Sequence, residues 1–386
     1  MSTIKTLGEV ATYINGRAFK PTEWEEAGKP IIRIQNLNND NAQYHYSSKM
    51  YDERFLVKKG DLLFSWSGSL GVYIWSGRDA WLNQHIFRVI PNEGIDKHYL
   101  FNYLQTIIAD LYAKAHGSGM IHITKGPFMS TPIPIPSMAE QKRIVVRIEE
   151  LLSQLNASVN ELKTAKERLK VYRQAVLKEA LDSVRDVCEI TTIQSVCEDI
   201  KVGIVIKPTQ YYVDSDGVRA FRNANVRRDF IEDTDWAMIS KDGHKKSKRS
   251  EVHTGDVLIA RSGVNLGMAA AVPERFDGYN AIDVVIAVPK QECILSKYLA
   301  YYTNSPYGIN SVKENQRGVA QGHLNVKVYR KLPLMLPLLE QQEQVVSKIE
   351  ERLSVCDGIE KTVNAALQQA EALRQSILKK AFEGGL

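Results

Sequence analysis

The sequence predicts an α+β fold in which two similar globular segments alternate with two long helices. Residues 132–181 and 333–382 align without a gap at a constant offset of 201, and 15 of the 50 aligned positions are identical. Each stretch follows a longer segment of short β-like runs, and these two longer segments share several motifs. Repetition of this kind indicates duplication of one structural unit.

The repeat divides the 386 residues into four parts. We expect a first globular domain at 1–135 and a first spacer helix at 136–184. A second globular domain then covers 185–335, and a second spacer helix covers 336–386. A chain of this length is expected to form two or three domains.

Short apolar runs bounded by Gly, Asn or Pro predict the strands of the first domain. These runs lie at 31–34, 62–64, 72–75 and 86–90. Residues 96–112 have apolar side chains at helical spacing, and Asp96 is placed as the N-cap of that helix. We therefore expect a curved sheet with one or two helices.

A proline-rich stretch leads into each long helix. Pro132, Pro134 and Pro136 keep the chain extended, and no proline or glycine follows until Gly203. Apolar residues at steps of three or four then predict a narrow seam of coiled-coil type, about 67 Å long for roughly 45 residues. The expected seam residues of the first helix are Ile144, Ile148, Leu151, Leu155, Val159, Leu162, Leu169, Tyr172 and Val176, with Lys166 at one seam position.

The second helix has its own seam and ends at Gly384-Gly385, which is typical of a helix C-cap. Burial of both seams is simplest if the two helices pack against each other as an antiparallel coiled coil with a pseudo-twofold repeat. The expected seam residues are Val345, Ile349, Leu353, Cys356, Val363, Ala366, Ala370, Leu373 and Ile377.

The second globular domain reads as a copy of the first. Residues 57–63 (VKKGDLL) resemble 252–258 (VHTGDVL), and residues 33–38 resemble 220–225 at an offset of 187. Gly117 and His122 match Gly318 and His323 at an offset of 201. The drift in offset indicates that loop lengths differ while the framework is retained.

Composition and motifs exclude several classes of protein. No apolar run is long enough to span a membrane, and the N-terminus does not resemble a signal peptide. The four cysteines form no CxxC pair, which is typical of free thiols in the cytoplasm. The sequence has no GxxxxGK[ST], GxGxxG or GxSxG motif and no Asn-Pro-Pro-aromatic run. We expect no catalytic or metal site and no cofactor on this chain.

Polar side chains that suit DNA are better represented, and the formal charge of +5 permits a polyanionic partner. Residues 241–251 (KDGHKKSKRSE) hold five basic side chains, which suit phosphate contacts, although a solvated loop is the alternative. Arg and Asn can pair with guanine and adenine edges, although shaping of turns is the competing interpretation. The candidate DNA-binding residues are Gln35, Asn36, Asn38, Ser65, Trp66, Ser67, Arg222, Asn223, Asn225, Arg227, Arg228, Lys245, Lys246, Lys248, Arg249, Arg261 and Ser262.

Taken together, the chain resembles the specificity subunit of a Type I restriction-modification system over nearly its full length. The matching stretches are GEVATYINGRAFKP, GKPIIRIQNLN, KKGDLLFSWSGSLG, the Gly-to-His region before PIPIPSMAEQKRIVVRIEEL, and the second copy GHLNVKVYRKLPLMLPLLEQQEQVVSKIEERL. A proline-rich lead into a Glu-Gln helix, present twice and separated by a domain, is a specific combination.

The resemblance implies two target-recognition domains, each reading one half of a split site in double-stranded DNA. It implies that the helices act as a ruler and dock two methyltransferase subunits, which bind S-adenosylmethionine and methylate adenine. Restriction subunits that use ATP and Mg²⁺ can join such complexes. The family's specificity subunit has no catalytic residue to carry over.

Three alternatives remain open at the level of sequence. A stand-alone sequence-specific DNA-binding protein would need no methyltransferase, and a coiled-coil scaffold would select no DNA sequence. A fused restriction-methylation enzyme is disfavoured because the methyltransferase motif is missing.

Overall fold

The computed structural model describes residues 3–39, 41–114, 124–314 and 323–385. The chain divides into two compact units: the first unit is Met1–Leu162 with Ala365–Leu386, and the second unit is Lys163–Asn364. The matched glycines 117 and 318 and His122 lie outside the described residues. Within the described ranges, no helix is both long and apolar enough to cross a membrane.

The first unit contains ten strands and the start of the first long helix among its described residues. The helices are α1 (Leu7–Val10), α2 (Ile34–Asn38), α3 (Lys97–Lys114), α4 (Lys125–Met129) and α5 (Met138–Asp182). The strands are β1 (Thr3–Thr6), β2 (Ala11–Asn15), β3 (Lys29–Ile32), β4 (His45–Ser47), β5 (Leu56–Val57), β6 (Leu62–Ser65), β7 (Gly71–Ile74), β8 (Ala80–Leu82), β9 (Ile86–Pro91) and β10 (Pro132–Ile135).

The second unit repeats most of these elements. Its helices are α6 (Lys241–Lys246), α7 (Ser296–Asn304), α8 (Pro306–Glu314), α9 (Val326–Arg330) and α10 (Leu339–Phe382), which runs on into the first unit. Its strands are β11 (Glu189–Thr192), β12 (Cys197–Val202), β13 (Val218–Phe221), β14 (Ala237–Ile239), β15 (Val257–Ala260), β16 (Ala269–Ala271), β17 (Asn280–Ala281), β18 (Val284–Pro289) and β19 (Pro333–Leu336).

Strand order is the same in the larger sheets of both units, and the smaller sheets differ by one edge strand, β5, which the second unit lacks among its described residues. The larger sheet has the order β2-β9-β6-β7 in the first unit and β12-β18-β15-β16 in the second. A smaller sheet has the order β4-β3-β8-β5 in the first and β14-β13-β17 in the second. The proline-rich lead-ins are antiparallel partners of the first strand of each unit, in the pairs β1–β10 and β11–β19. The duplication predicted from sequence is therefore present in the folded chain.

The strand predicted at 31–34 is wrong at its end. β3 stops at Ile32, and Ile34 opens the short helix α2. The predicted strands at 62–64, 72–75 and 86–90 correspond to β6, β7 and β9. Asp96 caps α3, because its Oδ1 accepts the backbone N–H groups of His98 and Tyr99 at 2.9 Å each.

The alignment of 33–38 with 220–225 is also corrected. In the parallel strand pairs, Ile32 lies opposite Leu82, and Phe221 lies opposite Ala281. Ile32 and Phe221 are therefore equivalent, which gives a local offset of 189 in place of 187. Arg33 corresponds to Arg222 at this offset. Two of the six residues are identical at either offset, so only the strand register distinguishes the two alignments.

Each core lies between the larger sheet and the helix that follows it. In the first unit, Phe64 stacks on Phe128 with ring centres 4.8 Å apart, and Tyr99 and Leu104 of α3 complete the cluster. The second unit replaces one helix by two, because Pro306 keeps Ser305 out of the helical region.

A buried glutamine fixes the start of each long helix to its unit. Gln141 is 0% exposed, and its Oε1 accepts the N–H of Asp96 at 2.8 Å. Its Nε2 donates to the carbonyls of Gly94 and Pro136 at 3.0 Å each. Gln342 is equally buried and makes three equivalent bonds. Gln342 Oε1 accepts the N–H of Leu295 at 2.8 Å, and its Nε2 donates to the carbonyls of Cys293 and Pro337 at 2.8 and 2.9 Å.

The two long helices pack antiparallel within each unit. In the first unit, Ile148 of α5 clusters with Leu378 and Ala381 of α10, and Arg374 donates to Asn156. The residue numbers on α5 therefore increase along the interface while those of their partners on α10 decrease, which is the pattern of antiparallel helices. In the second unit, Arg352 pairs with Glu179 at 2.7 Å and Lys166 donates to Asn364 at 2.8 Å.

The seam predictions are wrong at two positions. Tyr172 is 45% exposed and Leu373 is 50% exposed, so neither is a buried seam residue. Arginines next to them, Arg173 and Arg374, cross to the partner helix instead. Lys166 does occupy a half-buried seam position, as its place in the repeat predicted. Gly384 has φ = +80°, which agrees with the predicted C-cap.

Candidate nucleic-acid interface

Two asparagines that the sequence predicted to contact bases are buried and instead bond to the backbone of their own loops. Asn36 is 4% exposed, and its side chain accepts the N–H of Arg33 and donates to two carbonyls of the following loop. Asn225 is 1% exposed and makes the same pattern with the N–H of Arg222 and two loop carbonyls. Buried amides with all these partners hold the turn after β3 and β13. The predicted base contact is corrected for both residues.

Two serines of the first unit are also internal. Ser65 and Ser67 are 0% and 1% exposed. Ser65 Oγ donates to the carbonyl of Ser69 at 2.7 Å, which closes the turn between β6 and β7. Gly68 in that turn has φ = +70°, and its counterpart Gly263 has φ = +72°, a region that favours glycine. These serines shape the hairpin, so they leave the set of predicted contacts.

The hairpin turn of the second unit is held by a polar network, which we call the second corner (Asn223, Arg261, Ser262 and Asp283). Asn223 Oδ1 accepts the N–H of Arg261 at 2.6 Å, and its Nδ2 donates to Ser262 Oγ at 2.9 Å. The Arg261 guanidinium pairs with Asp283 at 2.7 Å and donates to the carbonyl of Leu324 at 3.1 Å. The network orients a half-buried guanidinium at the end of β15.

The equivalent site in the first unit, the first corner (Asn15, Trp66 and His85), has different chemistry. The Trp66 indole N–H donates to Asn15 Oδ1 at 3.1 Å. Its ring stacks on Phe87 with centres 5.7 Å apart and lies 5.5 Å from the ring of His85. Trp66 corresponds to Arg261 because β6 and β15 have equivalent registers. One backbone site thus presents an indole in one unit and a guanidinium in the other.

The remaining polar candidates lie after β3 and β13. Gln35 and Asn38 are exposed on α2, and Asn38 accepts the Tyr73 hydroxyl at 2.6 Å. In the second unit, Arg222 pairs with Asp235 at 2.9 Å and Arg227 lies 3.7 Å from Glu232. Gln35 and Asn38 therefore keep free hydrogen-bonding capacity, whereas these two arginines are partly neutralised within their own unit.

The basic segment is accessible. Lys245, Lys246, Lys248 and Arg249 are exposed on α6 and the turn after it. Lys248 pairs with Glu251 at 2.8 Å. Lys245, Lys246 and Arg249 have no ion pair with any of the residues that the structure describes. The segment is held in place beneath them, because His244 Nδ1 lies 2.6 Å from Asn280 Oδ1. It presents fixed positive charge, as phosphate contact requires.

The described part of the chain offers no metal site, since no three His, Cys, Asp or Glu side chains converge there. Burial raises the pKa of the Cys197 thiol to about 12, which keeps it protonated at neutral pH. What the described side chains can do is bind and position a polyanion.

Sequence reasoning missed several residues of these sites. Asn15 and His85 come together at the first corner, and Asp283 reaches Arg261 at the second corner, only because the sheet order of each unit brings distant segments side by side. Arg33 was missed because the sequence alignment of this segment was shifted by two residues. At the offset of 189, Arg33 is the counterpart of Arg222. A correct local alignment would have pointed to it.

The fold and its sites define a class of protein. One framework is present twice, with different polar groups at the equivalent corner and exposed cations on the second unit, and segments of the two long helices pack antiparallel within each unit. This is the organisation of a duplicated nucleic-acid specificity protein.

The chain belongs to the Type I restriction modification DNA specificity domain family, which it matches at residues 2–167 and 184–369. It is the DNA specificity subunit of a Type I restriction-modification system, a subunit without catalytic function. The helices and mixed sheets agree with this family's fold.

Similar proteins cover nearly the whole chain. The EcoBI specificity subunit of Escherichia coli is 28% identical over 99% of this chain and 85% of its own length. The MjaVIII specificity subunit of Methanocaldococcus jannaschii is 23% identical over 98% of this chain and 91% of its own length. A solved chain from a study of complex assembly and conformational transition in the type I R-M system has a TM-score of 0.71 and 18% identity, covering 100% of this chain and 98% of that one. That likeness supports the fold.

Proposed function

We propose that the two units read the two halves of a split DNA site and that α5 and α10 dock two methyltransferase subunits. The observation that carries the proposal is the pair of corners. An equivalent backbone position holds Trp66 in one unit and Arg261 in the other, on sheets with the same strand order. A shared framework with unlike polar groups is what two readers of different sequences need.

Base contacts are assigned to accessible side chains at the ends of the strands and in the following turns. In the first unit these are Gln35 and Asn38, together with the half-buried ring of Trp66, whose N–H already donates to Asn15. In the second unit they are the second corner and Arg228, which is exposed. Lys245, Lys246 and Arg249 would contact phosphates, which position the duplex without reading it.

The helices would serve as a spacer and a docking surface. α5 spans Met138–Asp182 and α10 spans Leu339–Phe382, so each is long enough to contribute to both units. Exposed polar flanks such as Arg147 and Glu150 remain available to partner chains. The proposed methyltransferase subunits would bind S-adenosylmethionine, and restriction subunits with ATP and Mg²⁺ could join the same complex in the cytoplasm. A relative's structure is described in terms of complex assembly, which supports this part.

The decisive experiment exchanges one reader. The chain is co-produced with its methyltransferase subunit, and residues 185–335 are replaced by those of a relative. Mapping of methylated adenines in the host genome should show one half-site changed and the other retained. Exchange of residues 1–135 is the matched control and should change the opposite half. A change in both halves after either exchange would refute the two-reader proposal.

The spacer role has a separate test. A four-residue insertion near residues 155–165 should widen the gap between half-sites, but antiparallel packing requires a matching insertion in α10 near the Asn156–Arg374 contact. Paired insertion of seven residues keeps the seam in register and adds about 10 Å, or about three base pairs. An unchanged gap would contradict the ruler. Tight specific binding without any methyltransferase would favour a stand-alone DNA-binding protein, and loss of all sequence preference in the assembled complex would favour a scaffold.

A further inference from the structure

Arg33 is a half-buried cation in the first unit, and none of the described residues provides it with a counter-charge. It follows β3 directly and precedes α2, which carries Gln35 and Asn38. Its Nε is shielded from solvent and has no hydrogen-bond partner. Within residues 3–39 and 41–114 and the later described ranges, no carboxylate lies within ion-pairing distance of its guanidinium. Burial lowers the pKa of Arg33, because loss of solvation disfavours the charged guanidinium.

The equivalent residue of the second unit, Arg222, has a counter-charge. The Arg222 guanidinium pairs with the Asp235 carboxylate at 2.9 Å and also donates to the Asp235 carbonyl. The neighbouring Arg219 and Arg227 also face acidic side chains, at 3.9 and 3.7 Å. The second unit thus neutralises these arginines, whereas the described residues of the first unit supply no carboxylate to the corresponding cation. A desolvated charge is costly unless it is paired, so a ligand with negative charge would stabilise it.

An aromatic pair limits where the Arg33 guanidinium can point. The rings of Trp24 and His45 stack with centres 3.8 Å apart and planes 7° apart. The guanidinium carbon lies 5.6 Å from the centre of the Trp24 ring. Burial and the nearby Arg33 charge lower the pKa of His45, so its imidazole is neutral at pH 7 and adds no positive charge. Trp24 remains 36% exposed, so the platform is open on one side.

We propose that Arg33, held against the Trp24–His45 pair, binds a phosphate of the DNA half-site read by the first unit. The inference rests on the proposed function, since it assigns a ligand group to one reader. A phosphate supplies the missing negative charge and two oxygens for the guanidinium fork. A base edge supplies no net charge, so it leaves the desolvated cation uncompensated. The contact would fix the register of α2 on the duplex.

The test compares the assembled methyltransferase complexes of wild type, Arg33→Gln and Arg54→Gln. Arg54 is an exposed arginine of the same unit, paired with Asp52 at 3.2 Å, and serves as the matched control. Affinity is measured on a duplex carrying the genomic methylation site, in which single phosphates are replaced one at a time by neutral methylphosphonates.

For wild type, one methylphosphonate in the first half-site should weaken binding roughly tenfold, because a charge-assisted contact is lost. Arg33→Gln should weaken binding to unmodified DNA similarly, reduce the salt slope by about 0.9, and abolish the effect of that one methylphosphonate. Arg54→Gln should retain the wild-type pattern.

Two outcomes would overturn the inference while leaving the proposed function intact. Arg33→Gln with unchanged affinity and unchanged methylphosphonate sensitivity would show that Arg33 touches no phosphate. A relaxed methylation sequence in the first half-site, without any methylphosphonate coupling, would assign Arg33 to a base edge. If the wild-type complex selects no sequence, the proposed function itself fails. Thermal unfolding of Arg33→Gln alone checks folding, and its midpoint should equal or exceed that of wild type.

Discussion

The two units use one backbone framework and treat surface charge in different ways. In the second unit, Arg222 and Arg261 pair with carboxylates of the same unit at 2.9 and 2.7 Å. In the first unit, Arg33 has no such partner among the described residues, and an indole replaces the guanidinium at the corner. The second unit instead carries three cations without an ion pair to any described residue, Lys245, Lys246 and Arg249, on the exposed 241–249 segment. The comparison teaches that duplication preserved the main strands and their register, while the polar side chains at the strand ends diverged.

What the two units share most closely is the glutamine that joins helix to sheet. Gln141→Ala and Gln342→Ala should each lower the free energy of unfolding by about 3 kcal/mol or more, because each leaves three buried backbone groups unpaired. Calorimetric unfolding of the full chain would measure both, with the exposed Gln154→Ala as control. Equal losses are expected. A loss below about 1 kcal/mol in one unit alone would show that the two helix attachments are not equivalent.

The second unit contains a half-buried acid, Asp229. Asp229 lies in a cavity of about 810 Å³ lined by Arg173, Arg228 and Tyr301, and its Oδ1 accepts Asn304 Nδ2 at 2.6 Å. Burial raises the pKa of Asp229 to about 6 from 3.8. The folded chain therefore binds this proton more tightly than the unfolded chain, so stability falls as pH rises from about 4 to about 6.

Asp229→Asn should remove that cost and suit the left-handed backbone at φ = +71°. The variant should be more stable than wild type by up to about 3 kcal/mol at pH 7.5, with the difference shrinking towards pH 4. Urea unfolding at several pH values checks this, with exposed Asp214→Asn as control. A difference that is constant with pH would rule out titration of Asp229 as the cause.

The exposed cations of the second unit provide the third test. Replacement of Lys245, Lys246 and Arg249 by Gln should weaken DNA binding by the assembled complex and lower the salt slope by up to about 2.7, or 0.9 per phosphate contact. Methylation mapping should show an unchanged recognition sequence, because phosphate contacts position the duplex and do not read it. A changed half-site would mean that this segment reaches base edges.

Ion pairing between the long helices should have the smallest effect. In the second unit, Arg352→Met removes the pair with Glu179 and should lower the thermal unfolding midpoint slightly, a loss that high salt diminishes. In the first unit, Arg374 reaches the neutral Asn156, so Arg374→Met should show less salt dependence. Thermal unfolding at low and high NaCl compares the two. Equal salt dependence would remove this distinction between the helix junctions.

Some sites could be predicted because their signals are local. The N-cap Asp96, the C-cap Gly384 and the half-buried Lys166 follow from residue type and spacing. The base-contact candidates fared less well, since Asn36, Ser65, Ser67 and Asn225 are buried within turns. An asparagine that braces a loop and one that faces solvent have the same sequence signature. Only the partners of each amide separate them.

The sequence alone determined the duplication, the helical seams and the family, because these depend on periodicity and motif order along one chain. Tertiary structure decided which polar groups converge. The corners combine strands that are far apart in sequence, and the offset of 189 that pairs Arg33 with Arg222 comes from parallel strand register. Burial and charge compensation depend on neighbours in space, so the half-buried cation at Arg33 and the half-buried acid at Asp229 became visible only in the fold.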